Sequence, residues 1–137
     1  MNSLILYATS RLILPLLLLF SIFLLLRGHY QPGGGFIGGL IASTGFALYT
    51  ISSGLSEARR ALRIHPTILI GSGLFLAFLS GVPSLIKGEP FMTAQWLEGE
   101  IPVLGYVGTP LVFDIGVYLA VIGVTLSIIF DLAEERS

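Results

Sequence analysis

The chain has 137 residues, of which 54% are hydrophobic and 11% charged, with a formal net charge of −1 and a mean hydropathy of +0.91. A small water-soluble domain needs a large polar surface, with about 25% charged residues, so this composition excludes a soluble globule and makes lipid the solvent for most of the chain. The charge balance gives no footprint for nucleic acid, and the absence of cysteine excludes disulfides, thiolate metal sites and cysteine nucleophiles.

A membrane-spanning helix needs roughly 20 mostly apolar residues, and four stretches qualify. The expected fold is therefore all-α, a single transmembrane domain built as a bundle of four helices. The first span covers about 4–26 and carries Arg11 as its one charge. Arg27-Gly28-His29 follows it where a secretory signal would have a small-residue cleavage site, so the stretch reads as a retained span. Gly28 and Pro32 punctuate the turn that follows.

The second span covers about 33–53. Its start, Gly33-Gly34-Gly35-Phe36-Ile37-Gly38, is a literal G-x-G-x-x-G. The dinucleotide fingerprint also needs a preceding strand in a βαβ unit. Here the preceding element is a membrane span, so no nucleotide cofactor is expected. The glycines instead let the start of the helix approach a neighbouring backbone. Free N–H groups and the positive end of the helix dipole also collect there. Arg59, Arg60 and Arg63 lie in a basic loop before the third span, about 66–86. They read as topology determinants, with anionic lipid binding as the alternative. Pro66 suits the first position of a helix.

Gly88, Pro90, Gly99, Pro102, Gly105 and Gly108 make the third connection long and irregular. Trp96 and Tyr106 in it suit the headgroup level. Glu98 and Glu100 fall in this polar loop with no catalytic setting. Thr109-Pro110 reads as an N-cap and first turn of the fourth span, about 110–130. Four spans put both termini on one side. That side holds Arg11, Arg59, Arg60, Arg63 and Arg136, against Arg27 and Lys87 opposite. The positive-inside rule then places the termini in the cytoplasm.

Small residues recur at helical spacing: Gly35, Gly38, Ala42 and Gly45 in span two; Gly73, Ala77, Ser80 and Ser84 in span three; Gly116, Ala120, Gly123 and Ser127 in span four. Such stripes allow close helix approach, the main source of association in lipid. They imply dense packing, within the chain or against further helices of an assembly. On span four, Asp114, Tyr118, Val121 and Thr125 share a different face from Gly116 and Gly123. Both faces of that helix therefore need neighbours or a cavity.

Asp114 is the sharpest candidate for chemistry. An ionisable residue inside a span is costly and marks function by default. Its alternatives are a carboxylate satisfied by the helix N-terminus, a group on a cation or proton path, or a buried contact with a partner's base. His29, beside Arg27 after span one, can interact with the last carbonyls of that helix or titrate at the membrane surface. His65 reads as a loop or cap residue. The two histidines lack the i, i+4 spacing of a zinc site, so no metal is expected.

The run Gly28-His29-Tyr30-Gln31-Pro32-Gly33-Gly34-Gly35-Phe36-Ile37-Gly38-Gly39-Leu40 resembles the signature of the B-type component of Mrp-type (Mnh-type) multisubunit sodium/proton antiporters, the MnhB/MrpB family. Phe113-Asp114-Ile115-Gly116-Val117, followed by Val121-Ile122-Gly123, resembles that family's last span. The resemblance covers nearly the whole chain. It implies a small subunit of a hetero-oligomeric complex in a bacterial or archaeal cytoplasmic membrane. Its partners would be the other subunits, the lipid bilayer, and Na+ and H+ as transported ions. It implies no cofactor and no enzymatic activity, with Asp114 and His29 as candidate ion-path or buried polar groups. Similar B-like components occur in membrane-bound hydrogenases with a sodium-translocating module. That setting, and a purely structural adaptor, stand as the competing readings.

Overall fold

The structure is a computed structural model that describes residues 4–27, 34–82, 86, 88 and 109–135. Among the described residues its regular structure is all helix, without strands. Helix α1 runs Leu4–Arg27, α2 Gly34–Ser53, α3 Leu55–Leu62, α4 Pro66–Leu79 and α5 Thr109–Glu135. Four stretches are long and apolar enough to cross a membrane: α1, α2, the combined α3–α4 stretch Leu55–Leu79, and Leu111–Glu135 of α5. With its 24 residues α1 reaches ~36 Å, and α2 with 20 reaches ~30 Å, about the hydrocarbon thickness of a bilayer. Pro15 lies inside α1. It has no N–H to give to the carbonyl of Arg11, a gap tolerated in membrane helices.

One stretch differs from the sequence expectation. The basic stretch read as a loop is the short amphipathic helix α3. Gly54 opens it at a positive φ of 95, and Arg63 closes it in the left-handed conformation with φ 67. Ala58 is buried, and Leu55 and Leu62 pack against the core, while Arg59 and Arg60 face outward. Helix α4 runs Pro66–Leu79, and beyond it Val82 and Ile86 are again helical. The Ser80 hydroxyl donates to the Ala77 carbonyl at 2.6 Å, and the Gly81 N–H turns back to Phe78 at 3.1 Å.

The helices pack side by side in the spatial order α1, α2, α5, α4. Gly45 sits on Leu14 and Leu17 of α1, and Gly38 on Ser21, so α1 and α2 run antiparallel. Gly35 meets Asp114 and Gly39 meets Val121, so α2 and α5 run parallel. Gly73 meets Gly116, while Gly123 meets Pro66 and Ile70, so α4 and α5 run antiparallel. Central α2 is the most buried span, and α1 and α4 form the edges. The edge helices turn large apolar side chains outward, among them Leu12, Leu19 and Phe23 on α1 and Ile68, Phe75 and Phe78 on α4. A helix apolar on nearly all sides belongs in lipid or among other spans.

The two ends of the bundle are built differently. Toward the starting end of α1 and the finishing end of α5, bulky side chains fill the core: Phe46, Tyr49, Leu69, Leu126 and Phe130, with Ala58 of α3 beneath them. Toward the other end, glycine backbones touch directly. Hydroxyls inside the spans mostly return to their own helix, as Ser43 does to Gly39 at 2.8 Å and Thr50 to Phe46 at 2.7 Å. Ser10 of α1 and Ser52 of α2 form a short interhelical hydrogen bond. Among the described residues no buried side-chain nitrogen or oxygen lacks a hydrogen-bond partner, as a bilayer without water requires.

Candidate functional site

The glycine-lined end assembles most of the residues that the sequence singles out. Gly34 and Gly35 start α2 and are buried. A Cβ at Gly35 would overlap the carbonyl oxygen of Asp114 and fall 3.1 Å from its carbonyl carbon. A Cβ at Gly39 would lie 2.8 Å from the Val121 side chain and 3.1 Å from the Tyr118 carbonyl oxygen. No side chain fits at either place, so glycine here serves close backbone approach. On the opposite side of α5, a Cβ at Gly116 would lie 2.6 Å from the Gly73 carbonyl oxygen. A Cβ at Gly123 would lie 2.7 Å from the Pro66 carbonyl oxygen and from the Ile70 side chain. The two faces of α5 thus have separate neighbours, α2 for the Asp114 face and α4 for the glycine face. At Gly35, Gly38, Gly45, Gly73, Gly116 and Gly123 the small-residue stripes are filled by neighbours within the chain, while Ser84 of the third stripe lies outside the described residues.

Asp114 is 9% exposed, the one buried carboxylate among the described residues. It sits five residues into α5, about 7.5 Å along the helix from its start. The parallel arrangement brings the N-terminal ends of α2 and α5 to this same end, where each directs partial positive charge. One helical turn further in, about 6 Å along the axis, the Tyr118 hydroxyl meets the Ser21 hydroxyl of α1 at 2.7 Å. Ser21 is fully buried. It gives its proton to the Leu18 carbonyl at 2.7 Å, so Tyr118 is the donor and Ser21 the acceptor between them. The hydrogen bond ties α1 to α5 beside Gly38, whose missing side chain leaves room for the Tyr118 ring. The arrangement places a carboxylate one turn from a hydrogen-bonded pair of hydroxyls inside the bundle.

Gly28, His29, Pro32 and Gly33 lie outside the described residues, as do Trp96, Tyr106, Glu98 and Glu100. Ser21 is the site residue that sequence reasoning missed. Its signal was a lone hydroxyl in the apolar run Leu16–Leu26.

Lipid-length helices joined by glycine-to-backbone contacts, with one buried carboxylate among the described residues, make this a small polytopic membrane protein. Residues 5–127 match the family described as a domain related to the MnhB subunit of Na+/H+ antiporter. The chain is 42% identical to the B-type component of the Na(+)/H(+) antiporter of Bacillus subtilis (strain 168), over 98% of this chain and 96% of that protein. It is 36% identical to its counterpart in the Na(+)/H(+) antiporter of Alkalihalophilus pseudofirmus, over 98% of this chain and 94% of that protein. The fold also matches one chain in the structure of the Mrp complex from Dietzia sp. DQ12-45-1b, with a TM-score of 0.78 and 34% identity. That match covers 97% of this chain but 14% of the longer one. The chain belongs to the MnhB family.

Proposed function

We propose that this chain is the small B-type membrane component of a multisubunit sodium/proton antiporter. In this reading it is a component of a secondary transporter and not an enzyme. Its partners are the other subunits of the complex, the bilayer of a bacterial or archaeal cytoplasmic membrane, and Na+ and H+ as the ions moved. Family membership supports the antiport setting, and the likeness to a chain of the Mrp complex supports assembly with further subunits. The end that carries α3 and both helix termini faces the cytoplasm, a reading supported by Arg59, Arg60 and Arg63 there.

The observation that carries the residue-level proposal is the burial of Asp114 between glycine-packed helices. A carboxylate kept inside a span is expensive and is retained for a purpose. With so few ionisable groups at depth, the chain does not form an independent relay; it helps hold or line the ion path, with Asp114 its ionisable contributor. His29, which follows α1 in the chain, belongs to the same proposal as a titrating group at the membrane surface. The test is Asp114→Ala and Asp114→Asn in the assembled complex, reconstituted into vesicles, with assembly checked by native electrophoresis. Sodium-dependent proton exchange is expected to fall on the order of tenfold or more while the complex stays whole. Unchanged exchange by an intact complex removes Asp114 from the mechanism.

A further inference from the structure

The end of the bundle remote from Asp114 holds a feature that the proposed function does not use. A pocket of about 200 Å³ opens there, lined by Arg59, Arg63, Ile64, His65, Pro66 and Phe130. Its floor is apolar, since Phe130 is buried and its ring lies 5.9 Å below the Arg59 guanidinium. Its rim is basic. Arg59 is paired with Glu134 at 2.8 Å, an exposed contact that occupies one nitrogen and leaves other N–H donors of the guanidinium. Arg63 makes no ion pair among the described residues. Its backbone is held at φ 67, a costly conformation for a residue with a side chain. The nearby acid Glu57 is paired with Arg60 at 3.3 Å.

His65 completes the rim. Its Nδ1 accepts the Thr67 N–H at 3.1 Å, so the neutral ring carries its proton on Nε2 and presents a donor there. The first amides of α4 are already used. Pro66 has none, Thr67 gives to the His65 side chain, and Ile68 gives to the His65 carbonyl at 3.0 Å. Recognition at this pocket therefore falls to side chains: two planar guanidinium groups and an imidazole N–H. That set matches the oxygens of a phosphate, which guanidinium groups bind in pairs.

Location selects the source of the phosphate. Helix α3 buries Ala58 and turns its arginines outward, the layout of a helix lying at a membrane surface. From the pocket, Ile68, Phe75 and Leu79 continue along α4 at helical spacing, 61%, 63% and 40% exposed. An amphiphile with its phosphate in the pocket and a hydrocarbon chain on this track satisfies both features. A free phosphate satisfies only the first.

We propose that the Arg59–Arg63–His65 pocket binds the phosphate of an anionic phospholipid, whose acyl chain lies along the outer face of α4. The proposal does not depend on Asp114 taking part in exchange. The test uses the full-length chain purified with its accompanying subunits, stripped of lipid in detergent, and offered phosphatidylglycerol or phosphatidylcholine of matched acyl chains. Native mass spectrometry reads the retained lipid. Phosphatidylglycerol is expected to be retained in preference. Arg63→Gln is expected to cut that retention about fivefold, the effect of one interfacial arginine. Arg60→Gln, outside the pocket and engaged with Glu57, leaves it unchanged, and excess inorganic phosphate does not displace the lipid. If Arg63→Gln prevents assembly, Arg59→Gln carries the same expectation. Equal retention of both lipids, full retention by the pocket variant, or an equal loss in Arg60→Gln would overturn the proposal. Complete displacement by inorganic phosphate would overturn the lipid assignment in favour of a free-anion site.

Discussion

Replacing Gly73 by alanine tests whether glycine contact, and not side-chain burial, holds α4 to α5. The added Cβ would lie 2.5 Å from the Gly116 carbonyl oxygen, 2.6 Å from the Ala120 nitrogen and 3.1 Å from the Ala120 Cα, whereas ordinary contact begins at 3.4 Å. All three are backbone atoms, so no rotamer change can make room. The helices must separate locally by about 0.9 Å, the difference between 3.4 and 2.5 Å. Overpacking of this kind costs about 1–3 kcal/mol. Because α4 lies at the edge of the row and can move outward, the lower half of that range, about 1–2 kcal/mol, is expected. Gly71 supplies the control on the same helix, since a Cβ there meets nothing within 4 Å. Gly71→Ala is expected to be neutral or stabilising by up to ~1 kcal/mol, through helix propensity alone. Unfolding of the purified protein in mixed micelles, titrated with sodium dodecyl sulfate and followed by circular dichroism, compares the two. If Gly73→Ala unfolds at the same point as Gly71→Ala, the backbone-contact argument for this helix pair is wrong.

The Tyr118–Ser21 hydrogen bond is asymmetric, and the two single substitutions should differ. Tyr118→Phe leaves Ser21 bonded to Leu18 and should cost ~0.6 kcal/mol, the average for a hydrogen bond between membrane helices; Ser21→Ala strands a tyrosine hydroxyl and should cost about 1–3 kcal/mol. The same micelle titration decides, and a costlier Tyr118→Phe would reverse the donor assignment. Orientation is open to direct labelling because the chain has no cysteine of its own. Ser56→Cys, on the exposed side of α3, should react with a membrane-impermeant maleimide in inverted vesicles and not in intact cells, and the opposite pattern would put the termini outside.

The spans were legible in the sequence because apolar length is a local property, and lipid demands it of each helix separately. The division of α5 into two faces was legible for the same reason. Asp114, Tyr118 and Val121 repeat on one side of a 3.6-residue helix and Gly116 and Gly123 on another, and these sides meet α2 and α4. Helix α3 was not legible as a helix. Its apolar positions are only Leu55, Ala58, Ala61 and Leu62 among five polar or charged neighbours from Ser56 to Arg63, and the basic run dominated the reading. Nor was the Ser21–Tyr118 contact, which spans 97 positions. Periodicity tells which residues share a face but nothing of the rotation and depth at which two helices meet. The α2 stripe shows the limit well: Gly35 goes to α5 and Gly45 to α1, although one ridge of small residues joins them in sequence.

The spatial order α1, α2, α5, α4 departs from the order of synthesis at one place, and this has a consequence for biogenesis. The first two spans can pair as soon as they leave the insertion machinery, because their contacts are local. The next span to emerge, α4, has its packing surface reserved for a helix not yet made. Until α5 arrives, the chain is a hairpin and a solitary span side by side in the bilayer, each showing bare glycine to lipid. The final segment is thus a keystone: its insertion joins the two pieces, and the site around Asp114 comes into being only in that last step.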